Sequence, residues 1–245
     1  LPDDAPIIGV IDSGVNDHPL LADAIVGAIG APASLGTADE WGHGTRVSGV
    51  ALFGDLRAQL EAGQLARTAR LAVAKVVNDR GGFDDRRLVP TQMRDAITGL
   101  HGRFGCRIFV VALGDPKRPY DDGKVGPWAR TLDELARELD VLIIVSAGNR
   151  APRGGNRIEQ AVTDYPGYLT EPPHRICEPA GAMNVLTVGA LAHGEGLGPE
   201  FADDVHVRPI TRALEPAPFS RVGQGSGAPR SRTWWMSDYM DIFWI

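Results

Sequence analysis

The chain has 245 residues, 43% of them apolar and 23% charged, the make-up of a globular protein with a full core and not of a disordered or collagen-like chain. Its 25 Lys and Arg stand against 31 Asp and Glu, a formal charge of −6, and the basic residues never form a run of four, which argues against nucleic acid as a partner. The longest mostly apolar stretch, residues 141–147, is far too short to cross a bilayer, so no membrane span is expected.

Taken in chain order, short β-branched runs at residues 7–11, 71–77, 108–113, 141–145 and 185–188 read as strands, with the continuous apolar character of a buried parallel sheet. Between them, residues 43–52, 91–104 and 129–139 carry helical spacing, and Leu132, Leu135, Ala136 and Leu139 make one apolar stripe. The repeated strand-helix order predicts an α/β fold, a doubly wound, mostly parallel sheet with helices on both faces. Such sheets receive ligands beyond the carboxyl ends of their strands. Residues 150–180 and 191–218 are rich in Gly, Pro and charge and read as long surface loops. No Pro/Ser/Gly-rich tract separates two independently patterned halves, so one domain is expected. Leu1-Pro2-Asp3-Asp4 shows neither an initiator Met nor a basic, apolar leader and reads as a processed or excised boundary. Cys106 and Cys177 are too few for a disulfide scaffold and read as buried free thiols.

Three places at strand ends or helix starts carry candidate chemistry. The first strand runs directly into Asp12-Ser13-Gly14, so a carboxylate sits where the strand stops. Gly42-His43-Gly44-Thr45-Arg46-Val47-Ser48-Gly49 sets a histidine between two glycines at a helix start, and flanking glycines mark close approach. Ser146-Ala147-Gly148-Asn149 follows the most apolar strand and offers a neutral amide donor. Each alone also suits a turn or a cap. Together, an acid, a histidine and an amide donor are the parts of an acyl-transfer site: Asp12 orients His43, His43 acts as general base toward a hydroxyl, and Asn149 donates to the developing oxyanion.

At these residues the chain resembles the subtilisin-like serine proteases, the subtilases. Residues 8–14 resemble the family's Asp motif and residues 42–49 its His motif; acid before histidine is also that family's order. Leu71-Ala72-Val73-Ala74-Lys75-Val76-Val77 is similar to the following family strand, and residues 141–149 to the strand that leads to the oxyanion asparagine. Leu113-Gly114 resembles part of the segment that lines the first specificity pocket and pairs with extended substrate, although Ala112 stands where a serine is usual. Residues 179–190 resemble the strand after the oxyanion loop, and residues 217–223 the segment before the nucleophile helix. The resemblance implies hydrolysis of peptide bonds in a peptide or protein substrate, with Asp12, His43 and Asn149 in the catalytic roles and Leu113 and Gly114 in substrate binding.

The likeness stops near Gly223. The family's nucleophile lies in a Gly-Thr-Ser-x-Ala segment that opens a long buried helix, and this chain contains no such segment. Only 25 residues follow Ser220, so by analogy the nucleophile falls at or past Ile245. Ser226, in Gly225-Ser226-Gly227-Ala228-Pro229, mimics the motif but lies too close to Ser220, with no apolar helix after it. The peptidase domain is accordingly assigned to residues 1–223, incomplete, with an atypical aromatic-rich tail over residues 224–245. The last twelve residues hold five of the sixteen aromatics. That tail reads as a replacement apolar segment, a partner-binding patch or a reading-frame artefact.

Rival readings share the same residues. A non-catalytic descendant would bind extended peptide along Leu113-Gly114 without cutting it. A dinucleotide-binding enzyme is disfavoured, because the first strand leads to Asp12-Ser13-Gly14 and not to a glycine fingerprint. His174 with Cys177, and His101 with Cys106, are minimal pairs without a second pair at zinc-site spacing, so no metal-binding residues are assigned. No cofactor is expected. The resemblance does allow structural calcium, for which the doublets Asp84-Asp85, Asp121-Asp122 and Asp203-Asp204 could contribute ligands, though none matches an EF-hand.

Overall fold

A computed structural model describes residues 4–121, 123–150, 161–193 and 209–223, together with the backbone of 234–237. The strands are β1 (Ile7–Asp12), β2 (Ile25–Gly30), β3 (Arg70–Lys75), β4 (Ile108–Val111), β5 (Asp115–Pro119), β6 (Leu142–Ser146), β7 (Cys177–Glu178), β8 (Leu186–Leu191) and β9 (Trp234–Ser237). The α-helices with assigned bounds are α1 (His43–Phe53), α2 (Leu56–Glu61), α3 (Val89–Phe104) and α4 (Pro127–Glu138). The chain forms two compact units, one of Leu1–Leu113 with Gly126–Val145 and the other of Gly114–Val125 with Ser146–Ile245.

In the first unit β2, β3, β1, β4 and β6 lie side by side in that order, all parallel. Alternation along β1 sorts the two faces. Val10, with Leu71 and Val73 of β3, packs on Val47, Leu52 and Phe53 of α1. The residues one position away face the other side, where Phe109 of β4 and Leu100 of α3 lie over Gly9. Met93, Ala96, Ile97 and Leu100 make the buried stripe of α3. The α4 helix packs against α3, burying Trp128, Leu132, Leu135 and Ala136, while Leu139 sits half-buried at its C-cap. Across the exposed side of this helix pair, Arg94 bonds Glu134 and Glu138 at 2.8 Å each. Helices thus cover both faces of a parallel sheet, as the strand-helix order predicts.

The expected strands and helices are present, with ends displaced by a few residues. The sequence analysis passed over β2 because Ile25-Val26-Gly27-Ala28-Ile29-Gly30 carries two glycines and little periodicity. Pairing with β3 supplies what local propensity does not. Since the five strands of the first unit run the same way, their carboxyl ends share one edge, where Asp12 and Lys75 stand opposite each other in register.

In the second unit β5 pairs antiparallel with β7, and β8 pairs parallel with β9. The tail was not expected to contain a strand, yet the backbone of Trp234–Ser237 adds to β8 with Val188 opposite Trp234. The remainder of that tail, with Ser226, lies outside the described residues, as do parts of both expected long loops.

Burial separates two substitutions in this unit-one sheet. Phe109 is fully buried and Val26, on the edge strand, is 36% exposed. Phe109→Ala is expected to lower unfolding free energy by about 3–5 kcal/mol, the usual cost of truncating a buried aromatic. Val26→Ala should change it by less than about 0.5 kcal/mol. Urea unfolding of the two variants checks the contrast.

Candidate active site

The carboxylate of Asp12 is fully buried where β1 ends. Its Oδ1 accepts a hydrogen bond from the Ser13 N–H at 2.7 Å and lies 2.7 Å from Nδ1 of His43. His43 is the first residue of α1, after Gly42 in the left-handed region, and its side chain is 28% exposed. With Nδ1–H donating to the carboxylate, the free lone pair is on Nε2, which has no hydrogen bond among the described residues. That is the arrangement of a general base oriented by a buried acid. Asp12 Oδ2 is buried with no hydrogen-bond partner among the described residues.

The pair is held by a residue that the sequence analysis did not single out. Asp39, buried four positions before His43, accepts from the Ser13 hydroxyl and the Gly42 N–H on Oδ1, and from the N–H and hydroxyl of Thr45 on Oδ2, each at 2.7 Å. The Ser13 hydroxyl in turn accepts from the Gly44 N–H at 2.9 Å. The N–H groups of Gly42, Gly44 and Thr45 at the start of α1, which lack partners inside the helix, are therefore satisfied by side chains of the Asp12 turn and the preceding loop. Asn16 completes the clamp, donating to the Asp39 carbonyl and accepting from its N–H. Lys75 Nζ ties down the same loop through the Ala38 carbonyl at 2.6 Å and Asp79 at 2.9 Å. Gly44 is required by close approach: a Cβ there would run into the Gly14 carbonyl, and Gly14 itself sits at φ 107°. The signal available in the sequence was an acid just ahead of a helix start, a capping pattern.

In the second unit Asn149 follows β6 and is exposed. Its backbone bridges antiparallel to Ser220, while the Arg150 N–H donates to the Phe219 carbonyl at 2.7 Å and the Arg221 N–H to the Gly148 carbonyl at 3.0 Å. Arg221, 1% exposed, has no carboxylate partner among the described residues. Its guanidinium donates to the carbonyls of Asn149, Pro173, Arg175 and Pro116 at 3.3, 3.0, 2.8 and 3.3 Å. Burial lowers its proton affinity, but the carbonyl dipoles surround the charge. Gly114 lies against Cys177, whose sulfur would be 3.0 Å from a Cβ on that glycine. Leu113, the residue before it, is buried and belongs to the first unit.

Neither thiol is poised for chemistry: burial pushes Cys106 and Cys177 up to about 11. His101 Nδ1 lies 2.8 Å from the Cys106 carbonyl, a contact that closes the end of α3. Among the described residues no group of three or more His, Cys, Asp and Glu side chains gathers as metal ligands. Asp84 is committed to Arg86, Asp121 Oδ1 accepts from the Gly123 N–H, and Asp122, Asp203 and Asp204 lie outside the described residues.

Burial alone would raise the pKa of Asp39. The hydrogen bonds from the Thr45 hydroxyl, the Ser13 hydroxyl and the Thr45 and Gly42 N–H groups outweigh burial and hold it below the ordinary 3.8. Its contribution to stability is therefore complete above the ordinary carboxylate value and is lost as pH falls from there through the lower folded value. Asp39→Asn is expected to cost about 2 kcal/mol or more near neutrality, through weakened charge-assisted bonds to buried donors. The gap between variant and parent should narrow by about pH 3, as read by urea unfolding across pH.

A model of the subtilase family matches residues 3–235. The uncharacterized protein y4bN of Sinorhizobium fredii (strain NBRC 101917 / NGR234) is 67% identical over 139 residues, which are 57% of this chain and 32% of that protein. The chain therefore spans about a third of the length of this curated relative. Among solved structures, the S41 psychrophilic protease has a TM-score of 0.52 at 24% identity, covering 79% of this chain and 56% of that one. The subtilase cytotoxin SubAB has a TM-score of 0.52 at 17% identity, covering 90% and 63%. Identities this low speak for the fold. The family model, which takes in both the Asp12 turn and the His43 helix, goes further: this chain belongs to the subtilase family.

Proposed function

We propose that this chain is the larger part of a subtilase-type serine endopeptidase domain, with a peptide or protein as substrate. The observation that carries the reading is the 2.7 Å contact between His43 Nδ1 and the fully buried Asp12 carboxylate. Asp12 holds the ring in the tautomer that frees Nε2. His43 takes the proton of an attacking serine hydroxyl and later returns it to the leaving amine. Asn149, exposed just past β6, is the donor to the oxyanion. Leu113 and Gly114 belong to the segment that pairs with extended substrate. The attacking serine comes from a Gly-Thr-Ser-x-Ala segment that the 245 residues do not contain, so by themselves they do not hydrolyse peptides.

That missing segment also favours a second reading, a non-catalytic descendant that binds extended peptide along Leu113-Gly114 without cutting it. The two separate on reaction with a serine-directed fluorophosphonate. The coding DNA beyond the Ile245 codon is translated in all three frames, and the chain is expressed with whatever Gly-Thr-Ser-x-Ala segment is found. Stoichiometric labelling that disappears in His43→Ala supports the peptidase; peptide binding without labelling supports the descendant.

In the protein that proves competent to label, assayed before any label is added, Asn149→Ala should lower kcat with little change in KM. For the corresponding donor in subtilisin the loss is about 10²–10³ in kcat, and the same order is expected here by analogy. The 245-residue chain itself should show no cleavage of a peptide substrate. Cleavage that is lost in His43→Ala would overturn the assignment of an outside serine and direct attention to Ser226.

A further inference from the structure

Trp41 stands two residues before His43, and its indole stacks on the imidazole, with ring centroids 4.8 Å apart and planes at 21°. The indole has a second close neighbour. Gly81, in the turn closed by the Val77–Phe83 bridge, has φ +73°. A Cβ on Gly81 would come within 2.9 to 3.1 Å of three carbons of the Trp41 ring. The indole thus packs closely on the bare backbone at Gly81 as well as on the imidazole.

The two contacts on His43 do different work. Asp12 grips one edge of the ring at Nδ1. A single hydrogen bond still allows the imidazole to rock about the bond's own axis, since the outer torsion of a histidine is soft. A flat aromatic surface against the ring removes that freedom and keeps water from one face of the Nδ1–H to carboxylate bond. It also stays favourable when the ring becomes an imidazolium, because the indole face attracts cations.

We propose that Trp41 is a positioning residue for His43: it fixes the imidazole plane against Asp12 and shields the bond between them from solvent. The inference rests on the reading of His43 as the base. It concerns the pair alone, so it can be tested without peptidase activity and can fail while that reading stands.

The test is the solvent exchange of the His43 Nδ1 proton, followed by NMR in the 245-residue chain and assigned by its loss in His43→Gln. Trp41→Ala is expected to speed this exchange about two- to tenfold, the range that one aromatic contact sets on an opening equilibrium. The carbon-bound imidazole protons should lose their ring-current shift at the same time. Trp41→Phe and Trp41→Tyr should keep exchange slow, and Trp41→Leu, apolar but not flat, should not. Gly81→Ala, which displaces the indole without removing it, should act like Trp41→Ala and serves if that variant fails to fold. Unchanged exchange in Trp41→Ala or Gly81→Ala, or slow exchange in Trp41→Leu equal to the parent, overturns the proposal.

Discussion

The first unit is organised around a carboxylate that water cannot reach. Asp12 is fully buried, and an ionised group in that position is tolerable only while donors surround it. Two donors meet on its Oδ1, the N–H of Ser13 and the ring of His43. The second depends on α1 starting where it does. The parallel sheet brings the end of β1 to the edge where α1 begins. Asp39 then joins the two by accepting from Ser13 on one side and from the first turn of the helix on the other. Orientation of the imidazole is therefore a property of the strand end, the capping loop and the helix together.

The second unit meets a similar cost in another way. Arg221 is a buried cation whose partners are four peptide carbonyls from three separate places in sequence, Pro116, Asn149, and Pro173 with Arg175. The four carbonyl dipoles together solvate the charge. Their sum lets one side chain tie the backbone of the Asn149 turn to the β5 segment and to the stretch before β7. The same packing leaves no room beside Gly148, where a Cβ would fall 2.5 Å from the Cys177 sulfur and 2.9 Å from Cδ of Arg221. A glycine just ahead of the proposed oxyanion donor is thus fixed by packing as well as by its φ of +92°.

Much of this was legible in the sequence because it is written in short range. Residues 7–14 hold an apolar run, a carboxylate and a glycine in succession, and residues 42–49 a histidine flanked by glycines at a helix start. The β-branched runs, the helical stripe on α4 and the order of acid before histidine needed no knowledge of contacts. From them came the fold class, the Asp12 and His43 pairing and the family resemblance. β2 was not legible, because its two glycines weaken the local pattern and only the neighbouring β3 makes it a strand.

What the sequence by itself determined, then, was the kind of fold, the family, and that Asp12 ends a strand and His43 starts a helix. Tertiary structure alone decided what holds them: Asp39 as the hub between strand and helix, Trp41 lying flat on His43 over Gly81, and Arg221 among carbonyls. The reason is physical. Periodicity and turn preference are properties of neighbours along the chain. A capping carboxylate, a stacked ring or a buried guanidinium acquires its role only when segments tens of residues apart come within hydrogen-bond or van der Waals distance.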